Sequence, residues 1–138
     1  MRMGDLILIK IMKHLDYLDC LEISTRKILK LSLSEGIDGL ECLTENRERL
    51  INIIKSHQMT ISSDIKEIMR NRDVVDNELK DIFKAWGSDT HLIIERIKLL
   101  EENVSHALEN KRVELQKGLI HLHKEKKLVE KYSLSTVK

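Results

Sequence analysis

An all-α fold is predicted: an antiparallel helical hairpin or bundle of three to four helices with a long C-terminal helix. Three observations lead there. The 138 residues contain no proline and only five glycines. The aromatic residues number four, Tyr17, Phe83, Trp86 and Tyr132, whereas strands and their turns favour aromatic and β-branched residues with Gly and Pro punctuation. Leu, Ile, Lys and Glu dominate long stretches in which apolar residues recur every three or four positions. With 41% hydrophobic and 34% charged residues, the length suits a single domain over residues 1–138 with a helical core and little room for a catalytic cleft.

The first helix is expected over about 5–35. Leu8, Ile11, Met12, Leu15, Leu18 and Leu21, then Ile28 and Leu31, fall on one stripe. Leu6, Ile7, Ile9, Ile23, Leu29 and Leu33 widen it, so this helix should touch partners on more than one side. Gly36-Ile37-Asp38-Gly39 ends it, Gly36 taking a left-handed position and Asp38 capping the next helix. A second helix, about 39–57, turns Leu40, Leu43, Leu50, Ile51 and Ile54 inward and Glu41, Glu45, Glu48 and Arg49 outward, making a tight hairpin.

Residues 56–63 (SHQMTISS) lose the period and gain hydroxyls. A break is expected there, before a third helix over about 63–86 capped by Ser62 or Ser63. Ile65, Ile68, Met69, Val75, Leu79, Ile82 and Phe83 are its apolar positions, with a heavily charged middle from Met69 to Asn77. Gly87-Ser88-Asp89 repeats the stop and start signals, placing a fourth helix over about 89–132. Ile93, Ile97, Leu100, Val104, Leu108, Leu115, Leu119, Leu122 and Val129 give it a near-heptad stripe, interrupted at Asn110-Lys111-Arg112. At about 66 Å against about 46 Å for the first helix, it outruns its packing partners.

The overall charge of +1 offers no general attraction to nucleic acid or an anionic membrane. It is unevenly spread: residues 117–138 hold six Lys against two Glu, a net +4, which leaves −3 on residues 1–116. The basic end reads as a solvated helical face. The start MRMGDLILIKIM is interrupted by Asp5 and Lys10 and lacks a small-residue cleavage site. No apolar run approaches the roughly 18 residues a span requires, so a cytoplasmic protein without membrane insertion is expected. Cys20 and Cys42 would sit roughly 20 Å apart along the hairpin. They are expected to be reduced, mostly buried thiols.

No enzyme signature occurs: there is no GxGxxG, P-loop, HExxH, CxxC or Gly-elbow serine. Neither a catalytic residue nor a cofactor is therefore expected. His121 and His123 are two apart, on opposite sides of a helix, and poorly placed to share a metal. Glu101, Glu102 and His106 lack the Glu-x-x-His pairs of carboxylate-bridged helical sites and read as a solvated face. Arg47 falls on the apolar side of the second helix, with Leu43, Thr44, Leu50 and Ile51 three and four positions away, so no intrahelical ion pair is available. Its head reaches either water or a carboxylate on a neighbouring helix, or a bound partner helix. Trp86, beside Gly87, is expected to plug the end of the core.

The stretch Ile28 to Ile54, with Gly36-Ile37-Asp38, Leu40, Leu43, Arg47, Leu50, Ile51 and Ile54, resembles the helical hairpin of flagellar type III export chaperones of the FliT type. Ile97, Leu100, Leu108, Arg112, Leu115, Leu119, Lys126-Lys127 and Tyr132 are similar to that family's last long helix, which ends in a Lys-rich segment and a tyrosine. Together the two stretches cover roughly half the chain. The family often carries an aromatic, usually Trp, where this chain has Ile37, and residues 59–87 are longer than its usual connection.

The resemblance implies a cytoplasmic chaperone that binds the C-terminal helical segment of a late export substrate, the filament-capping protein. It also implies delivery to the export apparatus, with Tyr132 linked to that docking. Leu115, Leu119, Leu122, Leu128, Tyr132, Leu40 and Arg47 are the partner-binding residues this reading selects. In the family the last helix can cover the binding surface, which here would be residues 115–132. Two other readings stand beside it: a structural protein homodimerising through coiled-coil contacts, and a small protein-binding regulator of flagellar gene expression that makes no direct nucleic-acid contact.

Overall fold

The computed structural model of the chain describes residues 3–34, 38–71 and 76–136, with side chains over 4–34, 38–71 and 76–128. These residues form three helices and no strand: α1 (Met3–Leu33), α2 (Leu40–Arg70) and α3 (Asn77–Thr136). The chain divides into two compact units, Met1–Val104 and Ser105–Lys138.

The helix boundaries follow local chemistry, though not always the chemistry expected. Acidic Asp5 opens α1 and Lys30 closes it, each complementing the helix dipole. Gly39 precedes α2 with φ 83°, a left-handed backbone that glycine adopts at no steric cost. No side chain caps α2 there, so the expected Asp38 cap is not formed. Gly36 lies outside the described residues.

Two expected breaks are helical throughout. The stretch 56–63 continues α2, because Ile54, Ile61 and Ile68, spaced by seven, keep one buried seam running through it. Its hydroxyls adapt to the helix: Thr60 Oγ1 donates back to the Ser56 carbonyl at 3.1 Å. Gly87 likewise lies inside α3, so the helices expected over 63–86 and 89–132 do not exist as drawn. The connection between α2 and α3 lies instead within the charged stretch Met69 to Asn77, through which sequence reasoning extends a helix. Asp76 caps α3 there, its Oδ1 accepting the Leu79 backbone N–H at 2.7 Å.

A Cβ added at Gly87 would meet nothing within 4 Å, and its φ is not positive. Gly87→Ala should therefore raise unfolding free energy by about 0.5–1 kcal/mol, through lower chain entropy in the unfolded state. Urea unfolding followed by helical circular dichroism checks this; a loss of stability would show that the glycine is needed.

In the first unit, α1 and α2 run antiparallel. Lys10 is bound to Asp64 at 2.6 Å, Tyr17 stacks on His57 at 5.2 Å, and Thr25 meets Arg47. The first part of α3 runs alongside α1 in the same direction, since His14 meets Trp86 and Glu22 meets Arg96. The buried positions of α1 are Ile7, Ile11, His14, Leu18, Leu21, Thr25, Ile28 and Ser32, an unbroken alternation of spacings four and three. This seam departs from the expected one: Met12 is 65% exposed, and Ile7, expected only at its margin, is 1% exposed.

Two clusters line the seam. Ile7, Ile11, Ile61 and Ile68 pack with Leu79, Ile82, Phe83 and Trp86. Leu18, Leu21, Ile54, Ile93 and Ile97 pack with Tyr17, Leu50 and Ile51. Trp86 packs half-buried against the first of these clusters, within α3 rather than at the helix end where sequence reasoning expects it. Cys20 and Cys42 are free thiols, and both are exposed rather than buried.

Candidate partner-binding surface

Three polar side chains interrupt the α1 seam, and each is handled differently. Ser32 Oγ donates to the Ile28 carbonyl at 2.7 Å, returning its hydroxyl to its own helix. Thr25 Oγ1 does the same to Leu21 at 2.7 Å, and its oxygen also accepts Arg47 Nε–H at 3.2 Å. The Arg47 guanidinium then pairs with Glu101 of α3. Arg47 thus links all three helices, with its stem over the core and its head on a neighbouring carboxylate. Glu101 is correspondingly an ion-pair partner rather than part of a purely solvated face.

His14 is the third interruption, and sequence reasoning tested the histidines only for metal binding. It is fully buried. Trp86 Nε1–H donates to His14 Nδ1 at 3.0 Å, and the rings meet edge to face at 5.4 Å. Because indole nitrogen can only donate, Nδ1 must be the unprotonated nitrogen of a neutral imidazole. Nε2 is buried without a protein hydrogen-bond partner, as is the hydroxyl of Thr90. Burial holds the imidazole below its ordinary pKa of 6.5, and neighbouring His57 adds to this, while Gln58 acts in the opposite direction. A signal was available: His14 falls between Ile11 and Leu18 at spacings of three and four.

The residues selected as partner-binding fall in both units. Leu40, half-buried, and Arg47 belong to the first unit. Leu115, Leu119, Leu122 and Leu128 belong to the second, 68%, 65%, 61% and 56% exposed. The side chain of Tyr132 lies outside the described residues. At about 100° per residue, Leu115, Leu119 and Leu122 share one arc of α3, together with Leu108. Leu128 projects from the opposite side, with Ile120 nearer to it than to the stripe, so it is not a member of that row.

Two charge pairs form within the second unit. Arg112 forks onto Glu109 with bonds of 3.1 and 2.6 Å, and His121 lies 2.9 Å from Glu125. Among the described residues no group of three or more His, Cys, Asp or Glu could hold a metal ion, and no helix is long and apolar enough to cross a membrane. What the surface offers chemically is apolar contact bordered by charge. No family model, no curated protein and no solved structure matches this chain.

Proposed function

We propose that the chain is a helix-binding export chaperone of the flagellar type III kind, taking up the C-terminal helical segment of a filament-capping substrate and passing it to the export apparatus. The observation that carries this reading is the exposed row Leu108, Leu115, Leu119 and Leu122. An amphipathic helix binds another through anchors at such spacings. No cofactor enters the process: occupying the substrate's sticky helix prevents premature association, and a site that binds the segment better releases it. The sequence resemblance supplies the identity of the substrate; the leucine row supports only the mode of contact.

The test is titration of the full chain with a labelled peptide spanning the capping protein's C-terminal helix, read by fluorescence anisotropy. Binding in the micromolar range or tighter is expected. Leu119→Asp with Leu122→Asp should weaken it by about tenfold or more, with helical circular dichroism unchanged because both residues are exposed. Absence of binding by the unaltered chain, or binding indifferent to these substitutions, would sink the proposal.

A further inference from the structure

The first section of α3 lies over the α1–α2 hairpin without entering its core. Leu79, Ile82, Phe83 and Trp86 pack against Ile7, Ile11, Ile61 and Ile68, which are at most 5% exposed, yet each of the four is only half-buried. The first buried residue of α3 is Thr90, followed by Ile93, Ile97 and Ala107. Among the described residues the ion pairs of α3 to the other helices come later still, Arg96 with Glu22 and Glu101 with Arg47. Residues 77–87 are thus the least secured part of the packed helices, and local opening draws on such sections.

The polar contact that joins this section to the interior is the bond from Trp86 Nε1–H to His14 Nδ1, 3.0 Å long. It exists in one protonation state. An imidazolium carries a proton on both nitrogens, so N–H would face N–H across that distance, while Nε2 is buried without a hydrogen-bond partner. His14 has no exposed surface and is fixed in α1 between Ile11 and Leu18. Trp86 is half-buried and is followed by Gly87, a poor helix former with nothing within 4 Å of an added Cβ. The indole is therefore the member of the pair that is free to leave.

Groups from all three helices surround the ring. On α1, Lys10, one turn before it, is bound to Asp64 of α2 at 2.6 Å, and Tyr17, three residues after it, stacks on His57. From α2, His57 opposes a positive ring and Gln58 favours one; burial is the largest influence and acts against the charge. On α3, Trp86 donates its hydrogen bond, and the neighbouring charges Asp81, Lys84 and Asp89 are exposed.

We propose that residues 77–87 are a proton-gated flap: protonation of His14 ejects the Trp86 indole and lifts this section of α3 off the hairpin, while α3 from Thr90 onward stays docked. Opening uncovers Ile7, Ile11, Ile61 and Ile68, so apolar surface that is buried at neutral pH becomes available in acid. In the open form the ring meets water and regains an ordinary pKa of about 6.5. Above that pH neither form is protonated, and the opening equilibrium is independent of pH. Below it the open form binds the proton and the closed form resists, so opening increases by up to about tenfold per pH unit until the closed form is itself protonated. The proposal stands apart from the flagellar reading, since it uses none of the leucine row at 108–122.

Hydrogen–deuterium exchange of the full chain, followed by mass spectrometry from pH 8 to pH 5 and corrected for the pH dependence of the intrinsic rate, tests it. Peptides within 79–86 should lose protection by up to about tenfold per pH unit below about pH 6.5, while those within 8–33 and 93–104 keep theirs. In His14→Gln a neutral amide oxygen accepts the indole N–H and does not titrate, so the loss should vanish. Should that variant not fold, an acid titration of the unaltered chain by nuclear magnetic resonance decides. The ring signals of His14 and the indole N–H of Trp86, the chain's single tryptophan, should then change with one midpoint, below about pH 6.5.

Equal loss of protection in all three helices overturns the proposal, because that is unfolding rather than flap opening. So does the absence of any loss at 79–86, a pH dependence undiminished in His14→Gln, or separate midpoints for His14 and Trp86. Binding of the capping-protein peptide is measured separately on residues 119 and 122, so failure of the flap and failure of the helix-binding reading are distinguishable outcomes.

Discussion

Ile61→Ala should lower the unfolding free energy by about 2–5 kcal/mol, with the helical signal of the native protein nearly unchanged. Ile61 has no exposed surface and packs with Ile7, Ile11 and Ile68 between α1 and α2. Removing three carbons there loses their transfer free energy and leaves a gap that close-packed neighbours fill only in part. The residue also lies within the hydroxyl-rich stretch 56–63, where sequence reasoning expects a break. Were that stretch a connection, truncating one side chain in it would cost little. Urea unfolding of the two forms decides between these outcomes, and a change below about 1 kcal/mol would contradict the continuous seam.

Acidification should destabilise the protein through His14. In the folded state the imidazole is neutral, because Nδ1 must accept the Trp86 N–H and the site is closed to water. Its folded pKa is lowered by burial first and by His57 second. The unfolded chain, with a histidine pKa of about 6.5, therefore binds the proton more readily than the folded one. Stability from this group is complete above about pH 6.5 and is lost as pH falls through the folded-state value, at a rate of up to about 1.4 kcal/mol per pH unit.

The groups facing His14 act in both directions: His57 on α2 adds to the loss, while Gln58 on α2 favours the protonated ring and reduces it. Trp86 on α3, the ring's hydrogen-bond donor, provides no anion. Thermal unfolding between pH 8 and pH 5 should show the midpoint falling on the acid side. His14→Leu should flatten that fall and also cost stability at pH 8, by leaving the Trp86 N–H without its acceptor. An equal pH dependence in His14→Leu would assign the effect to another group.

Helix class was legible because it depends on local quantities: propensity, the absence of proline, and apolar spacing. The hairpin turn after α1 was legible for the same reason, since glycine there has a conformational role. The end of α2 was not. Met69 to Asn77 is charged but contains neither Gly nor Pro, and the decisive Asp76 cap is a single hydrogen bond that many aspartates could make. Gly87 misled in the opposite sense, because an isolated glycine costs only about 1 kcal/mol in a helix, less than the packing on either side of it contributes.

The surface divides along similar lines. The exposure of Leu115, Leu119 and Leu122 was foreseeable from a last helix longer than its neighbours, whereas Leu128, selected with them, projects from the other side. Arg47 was recognised as unusual from its position among Leu43, Leu50 and Ile51. Its two alternatives were separable only once Glu101 and Thr25 were placed beside it. His14 was overlooked because its meaning depends on a residue 72 positions away.

By itself, then, the amino-acid sequence determined that this chain is helical, that it carries more apolar surface than a short hairpin hides, and that its charge is segregated toward one end. These properties arise from composition and period, which act over a few residues. Tertiary structure alone decided which α1 residues form the seam, where α2 stops, and which polar groups the core accepts. Those outcomes depend on which helices meet, and burial against a partner, worth several kcal/mol per side chain, outweighs the fractions of a kcal/mol by which local signals differ.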